Sequence, residues 1–81
     1  MSKEHIRLDV EEMFREILDL PSGCSVSGLT MLNEPKWDSL AAVSLVAAIE
    51  SSFGIVIDSA DHEMMTSFAS TWMLLQEKLA L

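Results

Sequence analysis

Apolar residues at Ile6, Val10, Met13, Phe14 and Ile17 recur at helical spacing, with mostly charged positions between them. This spacing predicts a first helix over about residues 3–19, with Leu20 just past its end and Pro21 and Gly23 stopping it. A second helix is signalled at Asp38 and Ser39, whose side-chain oxygens suit a helix start; Pro35 biases Glu34 away from helical geometry just upstream. From there the apolar stripe reads Leu40, Val43, Val46, Ile49 and Phe53, flanked by Leu45 and Ala47. Gly54 supplies a residue able to turn left-handed past the helix end, and Ile55 is placed to touch Ile49. Asp58 and Ser59 open a short third helix through about Met65, with Asp61 favouring its first turn. Thr66 or Ser67 caps a last helix to about Leu79, whose core stripe is Phe68, Trp72, Leu75 and Leu79, with Met73 and Leu74 outside it.

The connections are less regular. From Leu20 to Trp37 the chain carries Pro21, Gly23, Gly28 and Pro35 and no period. A loop of that length inside a compact domain has to be packed down. Leu29, Met31 and Leu32 are the expected anchors across the open end of the bundle, and Trp37 is expected to pack against this loop or an adjoining helix. Ile55-Val56-Ile57 has strand composition but no partner strand, and so reads as a buried turn. The expected fold is therefore all-α, a single domain over residues 1–81, with three longer helices, a short third helix and a long first loop.

Charge narrows the partners. A net charge of −8 and a pI near 4.4 exclude nucleic acid and adhesion to anionic lipid, and suit a chain that meets basic protein surfaces. Glu4, Asp9, Glu11, Glu12, Glu16 and Asp19 crowd the polar sides of the first helix, where the simplest reading is a solvated face. A mean hydropathy of +0.29 is high for so acidic a chain, and implies apolar side chains left exposed at an interface. Cys24 is the single cysteine, so neither an internal disulfide nor a thiolate metal cluster can form, and the chain suits a reducing cytoplasm. His5 and His62 lack the spacing of metal ligands and read as solvated surface residues. No apolar leader follows Met1, and no run approaches the roughly 18 apolar residues of a membrane span, so no membrane association is expected.

The segment from Asp38 to Ile57, with Asp38-Ser39-Leu40 at its head and Glu50-Ser51-Ser52-Phe53-Gly54-Ile55 near its end, resembles the second helix of the acyl carrier proteins. The likeness runs without an evident gap through Thr66 and Ser67 to about residue 79; the N-terminal part agrees in layout only. The resemblance implies an acyl-carrier-like four-helix bundle that itself catalyses nothing. Ser39 would carry a 4'-phosphopantetheine arm, attached by a separate phosphopantetheinyl transferase, and the arm would hold acyl groups as thioesters for acyl-loading and acyl-processing enzymes. It further implies that Asp38 shapes the helix start and contacts the transferase, and that Leu40 packs beneath the attachment point. Partner contacts would come from Trp37, Val43, Ser44, Ala47, Glu50, Met64 and Met65. Met64 and Met65 read first as core or rim filler, and an exposed one would lie near the serine and touch a partner or the acyl chain. A monomeric cytoplasmic protein is expected.

Two departures mark a subtype. Lys36-Trp37 stands where the family often has glycine, as in stand-alone carriers of specialised pathways. The second helix keeps Glu50 but has Ala41, Ser44, Ala47 and Ser51 at positions that are commonly acidic or larger, which points to dedicated partners in a polyketide, lipid or secondary-metabolite pathway. An aminoacyl or peptidyl carrier is the nearest alternative, but the Gly-Gly before the Asp or His of that type is missing. An unmodified helical adaptor is a further one. A serine hydrolase ranks last, because Gly-x-Ser-x-Gly is absent and neither histidine is marked as a base. With its own Met1 and no flanking linker, a discrete protein is expected rather than an excised module.

Overall fold

In the computed structural model, residues 2–81 are described. Four helices follow in order: α1 (Lys3–Ile17), α2 (Ser39–Phe53), α3 (Ser59–Met64) and α4 (Phe68–Lys78). The domain is all-α, with a short third helix and a long first loop. No helix among the described residues is long and apolar enough to cross a membrane.

The first helix starts where Ser2 accepts a bond from the His5 N–H at 3.2 Å. It buries Ile6, Val10 and Phe14, with Leu18 following as a fully buried cap residue. Its end differs from expectation. Asp19 turns left-handed (φ 53°), and the Leu20 N–H reaches back to the Arg15 carbonyl at 2.8 Å, so the helix stops before Pro21 and Gly23. As a result Leu18 enters the core, while Leu20 is only half-buried.

The core face of α2 is rotated from the predicted stripe. Ala41, Ala42, Leu45 and Ile49 are buried, whereas Leu40 and Val43 are exposed. The sequence of this helix is apolar almost all round, so periodicity does not select a face; Ala41 and Ala42 take the core side with Leu45 and Ile49. Gly54 then takes φ 65°, ψ 33°, the left-handed conformation expected of it. The following segment is only partly the buried turn expected: Ile57 is buried and Ile55 half-buried against the core, whereas Val56 is 75% exposed.

Phe14 lies at the centre of the core. Its ring meets Trp37 edge-on at 5.2 Å and Phe68 edge-on at 5.1 Å. The Arg7 guanidinium lies over Phe68 (5.3 Å) and Trp72 (5.7 Å) and holds Glu11 at 3.2 Å. In α4, Phe68, Trp72 and Leu75 are buried as the stripe predicts, Leu74 is buried with them, and the cap residue Leu79 is half-buried. Thr71 is fully buried, its hydroxyl satisfied by donating to the Ser67 carbonyl at 2.8 Å.

The long loop is tied down at several points. Val26, not Leu32, is the apolar anchor: Val26 is buried and Leu32 is fully exposed, with Leu29 and Met31 half-buried. The Met31 N–H donates to the Thr66 carbonyl (2.9 Å) and the Phe68 N–H to the Leu29 carbonyl (3.0 Å), forming one antiparallel bridge between Thr30 and Ser67. Arg15 Nε donates to the Cys24 carbonyl at 2.8 Å, fastening the loop to α1.

The short α3 depends on α4. Asp58 and Asp61 form a reciprocal capping box, and Asp61 also holds Lys78 Nζ at 2.7 Å. The bond from Lys78 keeps the Asp61 carboxyl below its ordinary 3.8, and the same bond lifts Lys78 above its ordinary 10.5. The depressed acid contributes stability that is present above 3.8 and lost as pH falls through its lowered value; the raised base contributes until pH exceeds its own. Asp61→Asn keeps a capping oxygen but removes the charge. We expect its Tm to fall by a few degrees at neutral pH and the deficit to disappear in acid, as read by thermal melts across pH.

Candidate functional site

The residues before α2 form a braced turn. The Glu34 N–H donates to the Thr30 carbonyl (3.1 Å) and the Trp37 N–H to the Glu34 carbonyl (3.0 Å). Trp37 is 2% exposed and wedged against Phe14, which fixes the point where the chain enters the helix. Its indole N–H is buried with no acceptor among the described residues. Leaving that donor unpaired costs about 1–3 kcal/mol, offset by the large apolar area of the buried ring.

Asp38 follows in extended geometry and caps the helix, its Oδ1 accepting the Ala41 N–H at 2.9 Å. Asp38→Ala is expected to cost about 1 kcal/mol in urea unfolding, and Asp38→Asn much less because the amide oxygen still caps. Ser39 is the first helical residue and is exposed. Its hydroxyl makes no hydrogen bond among the described residues. The Asp38 carboxylate takes the Ala41 N–H of this end, which leaves the Ser39 and Leu40 N–H groups without a hydrogen bond among the described residues.

The predicted contact residues divide. Leu40 (76% exposed), Val43 (58% exposed), Ser44 and Ala47 fall three or four positions apart on one outward face of α2, continued by Ser51. Leu40 therefore does not pack beneath Ser39; it stands on the surface beside it in sequence, because Ala41 and Ala42 occupy the core side. Trp37 is unavailable to a partner, being sealed in the core. Met65 is likewise buried, at 3% exposure, whereas Met64 is 59% exposed on α3. Glu50 is half-buried and accepts the Ile57 N–H at 2.8 Å, so its carboxylate braces the chain after the helix. The outward face of α2 is thus free of charge among its exposed residues.

The sequence reading left out one feature, a groove of about 380 Å³ where α1 meets the far ends of α2 and α4. Its signal in the sequence was the acidic row on α1 next to Met13. Among the described residues, no group of three or more His, Cys, Asp or Glu is placed to hold a metal ion.

No family model matches this chain, and no curated protein matches it. Function therefore has to be argued from the site itself.

Proposed function

We propose that the protein is an acyl carrier in which a separate transferase moves the 4'-phosphopantetheine of coenzyme A onto the Ser39 hydroxyl, which loses its proton as adenosine 3',5'-bisphosphate leaves. The observation that carries this reading is an exposed, unbonded Ser39 hydroxyl at the first position of α2, directly behind a working Asp38 cap and followed by Leu40. The residues fit such a group: the Ser39 hydroxyl is exposed, the Ser39 and Leu40 N–H groups of the helix end make no hydrogen bond among the described residues, and the one carboxylate there, Asp38, is held to the Ala41 N–H. When bound, the arm supplies a thiol that holds an acyl group as a thioester. Asp38 keeps the helix start in shape and Trp37, locked on Phe14, holds the preceding turn, so Ser39 is presented on a rigid support.

The chain has no catalytic role in this reading. Partner enzymes in the cytoplasm meet the uncharged face of Leu40, Val43, Ser44 and Ala47, which suits dedicated partners with apolar docking surfaces in a specialised pathway. Incubation with a fluorescent coenzyme A analogue and a broad-specificity phosphopantetheinyl transferase tests it. Label is expected on the wild-type band and none on Ser39→Ala. An unlabelled wild type would favour the unmodified adaptor. Aminoacyl and acyl cargo would be separated by which loading enzymes accept the labelled form.

A further inference from the structure

The groove at the other end of the bundle is built differently from the α2 face. Met13, Phe53 and Leu79 line it as half-buried apolar side chains, together with Ile6. Along one side runs a row of carboxylates, Asp9, Glu12 and Glu16, and no Lys or Arg lines the groove. Asp9 and Glu16 make no ion pair among the described residues; Glu12 has only a 3.4 Å contact with Arg15. The three acids are three and four positions apart on α1, which spaces them about 4.5 and about 6 Å along the axis. Basic side chains at the same intervals on a facing helix would meet them while an apolar side chain between enters the groove.

We infer that this groove docks a basic amphipathic helix of a partner protein, with an apolar anchor against Met13, Phe53 and Leu79 and Lys or Arg side chains along Asp9, Glu12 and Glu16. Charge complementarity selects that occupant. A second copy of this chain offers no basic helix face: Arg7 and Arg15 are paired with Glu11 and Glu12 and Lys78 with Asp61, and the two cations without an ion pair among the described residues, Lys3 and Lys36, lie on different elements. An anionic lipid surface is repelled by a net charge of −8. Ser52 and Phe53 end the helix that Ser39 begins, about 20 Å away at the α-helical rise, so a partner held here leaves Ser39 free. The inference does not depend on whether Ser39 is modified.

The probe is a fluorescein-labelled amphipathic peptide of Leu, Ala and Lys, about four helical turns long, titrated with the full chain by fluorescence anisotropy. The triple variant Asp9→Asn, Glu12→Gln, Glu16→Gln is expected to weaken binding about tenfold, and added salt to weaken the wild type similarly. Glu4→Gln, Glu63→Gln, Glu77→Gln removes the same charge elsewhere and is expected to change affinity less than about twofold. Chemical-shift changes should centre on Met13, Phe53 and Leu79, Ser39→Ala should bind as wild type, and a peptide with Glu for Lys should not bind. Equal losses in the two triple variants, shift changes confined to Leu40 and Val43, or no binding by the wild type would each overturn the inference.

Discussion

Phe14→Ala is expected to remove most of the stability of this domain. Phe14 is fully buried and its ring joins three parts of the chain: α1 itself, the turn before α2 through Trp37, and the start of α4 through Phe68. Truncating such a ring costs about 3–5 kcal/mol, because the surrounding side chains only partly close the cavity. A domain this small has roughly 4–12 kcal/mol in total. Little reserve would remain, and a substantial unfolded fraction is expected at physiological temperature. Urea unfolding followed by tryptophan emission checks this, since Trp37 and Trp72 are both buried in the native state. Phe14→Leu refills most of the space and is expected to retain a cooperative transition with a lower midpoint. A wild-type midpoint for Phe14→Ala would mean that the aromatic cluster does not hold the bundle together.

The consequence reaches the proposed site through one contact. Trp37 immediately precedes Asp38, and Phe14 is the ring it leans on. Loosening that pair frees the turn that sets the Asp38 cap. Phe14→Leu should therefore be loaded more slowly at Ser39 even where it remains folded.

How much of this could be read in the chain varies by element. Three helix starts were legible because each is written in side-chain oxygen: Asp38, Asp58 and, of the pair Thr66 and Ser67, the second each accept a backbone N–H of the first turn. Gly54 was legible for its backbone freedom. The face of α2 was not. Its apolar residues surround the axis, so the choice between Leu40 and Leu45 for the core was made by the fit of Ala41 and Ala42 against neighbouring elements, which is tertiary information. The end of α1 was missed because an aspartate, Asp19, takes the left-handed position that glycine usually marks. In the long loop, Leu29 and Met31 pack as expected, but Val26 was passed over and Leu32 wrongly chosen, because only the loop's path, fixed by the Arg15 and Thr66 hydrogen bonds, decides which apolar side chain turns inward.

Of the candidate site, the placement of Asp38 and Ser39 was legible, while the contact residues were sorted only by burial. Trp37 and Met65 passed into the core, and Leu40, Val43 and Met64 to the surface. The charge is distributed accordingly. The exposed face of α2 is neutral, whereas the groove on α1 is lined with carboxylates.

Ser39→Ala carries the largest expected functional effect. The substitution removes the hydroxyl at this helix start to which the proposed arm would be joined, and it should leave the fold intact: Ser39 is exposed, its hydroxyl has no partner among the described residues, and alanine favours helical geometry. Ser44, Ser51 and Ser52 lie on the same helix but away from its N-terminal N–H groups, and so do not substitute for it. The measurement is the intact mass of the purified protein before and after incubation with coenzyme A and a broad-specificity phosphopantetheinyl transferase, with folded Ser39→Ala run alongside. A gain of one phosphopantetheine on the wild type and no gain on Ser39→Ala is the expected result. An unchanged mass for the folded wild type across several transferases, or an equal gain on Ser39→Ala, would contradict the assignment of Ser39 as the attachment site.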